Sequence, residues 1–138
     1  MNNQIEYLKK KDIDSYIDFI KSIFGYEADF TIVEKLIKKN KVLIIKDNDK
    51  IIASVIVEER FEYIKNKKYY HLGYFGVLKE YRREGYASKL FEKIEQLVKE
   101  NNIDYIQITS GNQRRIAHYF YKSKGFKIKD STVFIKLY

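Results

Sequence analysis

One stretch limits the fold of this chain more than any other: Val77-Leu78-Lys79-Glu80-Tyr81-Arg82-Arg83-Glu84-Gly85-Tyr86-Ala87-Ser88. An aromatic-rich strand runs into it over Tyr69 to Val77. A helix leaves it, with Ala87, Leu90, Phe91, Ile94, Leu97 and Val98 on one apolar stripe. A further strand follows at Tyr105 to Thr109, so the whole reads as one βαβ crossover. The turn inside it has the outline of an anion site. The first N–H groups of a helix lack intrahelical partners and point outward, and the helix dipole adds partial positive charge. Gly85 has no Cβ and lets the backbone approach a ligand closely, while Ala87 and Ser88 are too small to block that approach. A phosphate or pyrophosphate is the natural guest.

Composition removes several alternatives. A chain of 138 residues with 45% hydrophobic and 16% aromatic residues is expected to fold as one globular domain, residues 1–138, and not to stay disordered. There is no Cys, so disulfides, thiolate metal sites and a Cys nucleophile are excluded. His71 and His118 are the two imidazoles, and no metal is expected. The first residues show no basic segment followed by an apolar run, and nowhere do about 18 apolar residues follow one another, so a soluble, cytoplasmic protein with no membrane partner is expected. The formal charge of +8 is spread over Lys9 to Lys11, Lys38-Lys39, Lys65 to Lys68 and Lys122 to Lys129. Such scatter reads as a solvated surface. It argues against nucleic acid, although a basic module for polyanions stands as the rival.

The remaining elements follow from periodicity. Gln4 to Lys9 is a short strand. Ile13 to Phe24 is a helix, with Asp12 as N-cap and Gly25 as stop, and Thr31 to Lys39 is another. Val42 to Ile45 and Ile51 to Val57 form a hairpin about the turn Asp47-Asn48-Asp49-Lys50, and Phe61 to Lys68 is a loop or strand extension. Arg114 to Lys124 is a helix closed by Gly125, and Phe126 to Ile128 and Thr132 to Leu137 are terminal strands. The order β-α-α-β-β-β-α-β-α-β-β is a mixed α/β sandwich.

Arg82-x-x-Gly85-x-Ala87 resembles motif A of the GNAT family of N-acetyltransferases. Ala117, Phe120-Tyr121 and Gly125-Phe126, within 114–126, resemble its motif B. With the hairpin, the resemblance covers roughly residues 41 to 138, and residues 1–40 match only in being helical. It implies a central mixed sheet in which two parallel strands splay apart, flanked by helices. It implies acetyl-coenzyme A as cosubstrate. Its pyrophosphate would lie on Arg82, Arg83, Glu84, Gly85, Tyr86, Ala87 and Ser88, and its pantetheine would lie along the backbone near Phe75 and Val77.

The resemblance also assigns chemistry. Tyr121 would protonate the departing thiolate, since a well-placed phenol can donate to a group of thiol-like basicity. In a 13-tyrosine chain its plain reading is a core aromatic. His71 would take the proton of the attacking amine, or it is a strand histidine bonded to a neighbour, with water carrying the proton instead. Family members often place an Asn where this chain has Arg114, which would turn to a phosphate or the adenosine; Ser110 and Asn112 lie beside it. His118, Tyr119 and Phe120 read as packing. A backbone N–H at Val77 would steady the oxyanion.

The expected reaction is direct attack of a primary amine on acetyl-coenzyme A, the amine belonging to a small molecule or a peptide. The alternative is a non-catalytic acyl-coenzyme A sensor, or the nucleic-acid module above. Glu27, Asp29, Glu58, Glu59 and Glu62 are the acidic candidates for holding a cationic acceptor. The family leaves room for a homodimer.

Overall fold

The computed structural model describes residues 4–111 and 114–138. The chain divides into two compact units, Met1–Ile108 and Thr109–Tyr138. The first unit holds β1 (Ile5–Tyr7), α1 (Ile13–Phe24), α2 (Phe30–Lys39), β2 (Lys41–Asp47), β3 (Lys50–Glu62), β4 (Lys67–Val77), α3 (Tyr86–Glu100) and β5 (Tyr105–Ile108). The five strands form one sheet in the order β1-β2-β3-β4-β5. The first four are antiparallel neighbours, and β4 pairs with β5 in parallel. The mixed sheet flanked by helices is the fold class expected.

Val42 to Ile45 and Ile51 to Val55 are buried without alternation. A strand reads that way when both of its faces are covered. The cover comes from α1, which buries Ile13, Tyr16, Phe19 and Ile20, and from α3, which buries Leu90, Phe91, Ile94 and Leu97. Each such Leu, Ile or Phe contributes roughly 1.5–3 kcal/mol by leaving water. Ser54 is a polar residue of this core, and its hydroxyl donates to the Leu43 carbonyl at 2.8 Å. α1 packs closely over Gly76: a Cβ there would stand 3.2 Å from Ile23 and 3.3 Å from Phe24.

Gly25 stops α1 in the left-handed region at φ 76°, as expected. Asn101 closes α3, and Asp29 caps α2 through a 3.1 Å bond from the Ile32 N–H. Other expectations change. Asp12 precedes α1 but makes no cap bond; its buried carboxylate takes Lys46 at 3.2 Å, since an ion pair meets the charge of a buried carboxylate better than an amide does. The hairpin strands run longer than the apolar pattern, through Phe61-Glu62 and from Lys67, because cross-strand pairing carries polar residues along.

The second unit contains α4 (Arg115–Ser123), with Gly125 left-handed at φ 94° just beyond it. The terminal strands expected at Phe126–Ile128 and Thr132–Leu137 do not form. Neither pairs with another strand among the described residues, and Ile128, Val133, Phe134, Ile135 and Leu137 are exposed. β-branched and aromatic residues give a segment a strand-like pattern, but a ladder partner is what makes it a strand.

Candidate active site

The motif loop begins where β4 ends. The Leu78 N–H bonds the Ile52 carbonyl at 2.8 Å, and a single 3-10 turn, Lys79–Tyr81, follows. Arg82 is extended, and its Nε donates to the Val77 carbonyl at 3.0 Å, which draws the guanidinium back over the end of β4. Arg83 is left-handed at φ 67° and Gly85 at φ 85°, and Gly85 is the N-cap of α3. The first bond inside α3 is from the Lys89 N–H to the Gly85 carbonyl at 3.0 Å, so the amides before it have no partner within the helix. A Cβ built on Gly85 would meet nothing within 4 Å. The loop therefore combines outward amides, a helix N-terminus, an arginine and open space above its glycine, which fits a phosphate-bearing guest. Tyr86 is buried, while Arg82, Arg83 and Glu84 are exposed.

β4 supplies a second feature. Its parallel ladder with β5 runs from Tyr69↔Tyr105 to Leu72↔Ile108 and stops where β5 ends, while β4 continues to Val77. Within that continuation the β3–β4 register slips between Ser54 and Ile56, and Tyr74 is left-handed at φ 46°. This is a β-bulge, which re-aims side chains and bends the strand. Phe75 inside it is buried, and Val77 closes the strand. The bulge was not read from the sequence, although Gly73 and Gly76, which flank it, are the signal that marks it.

Three strands align Glu58, His71 and Gln107 in one row. Glu58 accepts from Arg60 Nε at 2.6 Å, and that hydrogen bond holds its carboxyl below the usual range. Burial pushes the His71 imidazole below its usual pKa, and the Arg60 charge adds to this. Glu58 and a hydrogen bond with Gln107 pull the other way without winning. His71 Nδ1 is buried with no hydrogen-bond partner among the described residues. A neutral imidazole at pH 7 is the result, the form able to accept a proton. Gln107 and Arg60 were not singled out from the sequence, because nothing local marks a row assembled across three strands.

Three of the other acidic candidates are engaged locally. Glu27 pairs with Lys21 at 3.1 Å, Asp29 caps α2, and Glu62 accepts from the Ile64 and Lys65 amides at 3.2 and 3.0 Å. Glu59 is exposed on the neighbouring position of β3.

In the second unit, Arg114 is the N-cap of α4 and its carbonyl accepts from the His118 N–H at 3.1 Å. Tyr121 is buried, with its ring edge-on to Phe126 at 5.9 Å and to Phe120 at 6.0 Å. Burial raises its hydroxyl pKa against the opposing charge of Arg114, so the phenol keeps its proton well past neutral pH. Tyr119, expected to pack, is instead 78% exposed, since it lies on the outer side of the helix from Tyr121. The Ser110 hydroxyl is buried without a partner among the described residues. Asn112 lies outside the described residues. Among those described, no group of three or more His, Asp or Glu side chains could hold a metal ion, and no helix is long and apolar enough to cross a membrane.

The chain belongs to the acetyltransferase (GNAT) family, whose profile matches residues 7–126. Solved structures share its fold at low identity. An aminoglycoside antibiotic 6′-N-acetyltransferase from Acinetobacter baumannii is 20% identical, with a TM-score of 0.84 and 99% of each chain covered. A ribosomal-protein-alanine N-acetyltransferase from Brucella melitensis is 14% identical, with a TM-score of 0.85 over 99% of this chain and 100% of that one. A protein described as a transcriptional regulator from Bacillus halodurans is 17% identical, with a TM-score of 0.86 over 99% of this chain and 100% of that one. No curated protein sequence matches the chain.

Proposed function

We propose that this chain is a cytoplasmic single-domain enzyme that transfers the acetyl group of acetyl-coenzyme A to a primary amine by direct attack. The observation that carries the reading is the loop at 82–88: a left-handed Gly85 under open space, opening α3 one 3-10 turn and a short loop after a strand that outruns its parallel neighbour. The amides of Arg83 to Ser88 and the Arg82 guanidinium hold the diphosphate. The backbone of β4 between Gly73 and Val77 takes the pantetheine, and the Val77 amide steadies the oxyanion. Arg114 serves the phosphate or adenosine end.

His71, neutral at pH 7, takes the proton that the ammonium must lose before its nitrogen can attack. Tyr121, still protonated at that pH, gives its proton to the sulfur as the carbon–sulfur bond breaks. Atoms balance: the amide nitrogen keeps the acetyl group, and coenzyme A leaves as the thiol. The family assignment supports acetyl transfer, and the two acetyltransferase neighbours support an amine acceptor, either a small molecule or a protein amine.

The test is a free-thiol assay with acetyl-coenzyme A and a panel of amino acids, polyamines, aminoglycosides and amine-bearing peptides. Acceptor-dependent release of thiol, with acetylated amine found by mass spectrometry, is expected. Tight coenzyme A binding with no turnover on any class would favour a sensor instead.

A further inference from the structure

Tyr81 is the last residue of the 3-10 turn, immediately before Arg82. Its hydroxyl donates to Asp47 Oδ2 at 2.5 Å. Asp47 ends β2, at the mouth of the β2–β3 turn whose next residue, Asn48, is left-handed at φ 57°. The bond thus joins the motif loop to a hairpin 34 residues away in sequence. The Tyr81 ring also meets the ring of Tyr86 edge-on at 6.3 Å, and Tyr86 is the buried first residue of α3. Tyr81 therefore touches both ends of the loop. The ring rests on the helix start, and the hydroxyl ties the turn to the sheet.

Between these ties lie Arg83 and Gly85, both left-handed. A non-glycine residue in that region costs on the order of 1 kcal/mol and persists only where its surroundings enforce it. The Arg82 bond to Val77 and the Tyr81 N–H bond to Leu78 are made within the β4–α3 connection itself. Asp47 supplies restraint from outside it. The other carboxylate oxygen of Asp47 is buried with no partner among the described residues, so the phenol is the hydrogen-bond partner recorded for this carboxylate. A bond to an ionised group is the stronger kind. It also pushes the Tyr81 hydroxyl up to about 12, so the donor keeps its proton throughout the neutral range.

We propose that Asp47 and Tyr81 are positioning residues that latch the loop at 82–88 in the shape that receives the diphosphate of coenzyme A. Neither residue touches the reacting atoms. The inference rests on the reading that coenzyme A lies on this loop.

Three variants test it: Tyr81→Phe, which keeps the ring on Tyr86; Asp47→Ala, which keeps the phenol; and the double variant. KM for acetyl-coenzyme A, and Kd for coenzyme A by calorimetry, are expected to rise about tenfold in each single variant, the scale of one charge-assisted bond. The double variant is expected to be no worse than either single one, because both remove the same bond. The rate at saturating acetyl-coenzyme A should stay within about twofold. Acetyl-pantetheine, which has no diphosphate, should be used equally well by all four proteins. Single variants that fold and bind coenzyme A as tightly as the parent overturn the latch. So do additive losses in the double variant, or equal losses with acetyl-pantetheine. If the parent itself does not bind coenzyme A, the reading of the site fails, and the latch with it.

Discussion

The loop at 82–88 and the row Glu58–His71–Gln107 are built from different parts of the chain. The loop is a backbone device. Its features are two positive φ angles, a helix N-terminus and the open space over Gly85. The row is a side-chain device, assembled from three strands by register. A backbone device is local, so a few glycines and small residues announce it in sequence. A side-chain row depends on pairings between residues far apart in the chain, and single positions in it look ordinary.

That difference yields predictions that separate binding from chemistry. If side chains carry the proton transfers and backbone carries the cosubstrate, side-chain variants should lose rate and keep affinity. The largest loss is expected for Tyr121→Phe, which keeps the ring against Phe126 and removes the proton donor. Turnover should fall by ~10²-fold, with coenzyme A affinity nearly unchanged in a calorimetric titration. Near-parental turnover under conditions where chemistry limits the rate would leave Tyr121 as a packing residue.

A smaller effect, read as a pH profile, is expected at His71. Because its pKa is depressed, the imidazole is neutral and competent over most of the working range. Activity at low amine concentration should therefore climb with pH on a limb centred below the ordinary imidazole value. His71→Gln should remove that limb and leave the later rise from the amine's own deprotonation. Arg60→Gln should move the limb upward, since it removes a charge that opposes protonation and releases Glu58, which favours it. An unchanged profile in both variants would assign the proton to solvent.

The same contrast explains what could be read from the sequence. The helices were legible from their apolar stripes, and the central hairpin from its turn. Gly85, Ala87 and Ser88 marked the loop. The left-handed Arg83 was not legible, because no residue type announces it; its conformation comes with the turn around it. Tyr81 was not singled out, since its partner Asp47 is 34 residues away. Thr132 to Leu137 has the β-branched and aromatic residues of a strand and no ladder, so a local pattern was read there for a pairing that the described residues do not contain. Asp12 was legible as polar and helix-initial, but its pairing with Lys46 depends on β2.

The central claim is that backbone amides of one loop hold the cosubstrate, and amide resonances report on it directly. A two-dimensional 1H–15N NMR titration of the parent and of Gly85→Val with coenzyme A is the measurement. Valine at φ 85° is strained, and its side chain fills the open space. In the parent, the amides of Arg83 to Ser88 should shift most, followed by those of Gly73 to Val77. In the folded Gly85→Val protein these shifts should vanish at the same coenzyme concentration, with affinity lower by roughly 10²-fold. Saturating shifts that bypass residues 83–88 in the parent, or an identical pattern in Gly85→Val, would contradict the account.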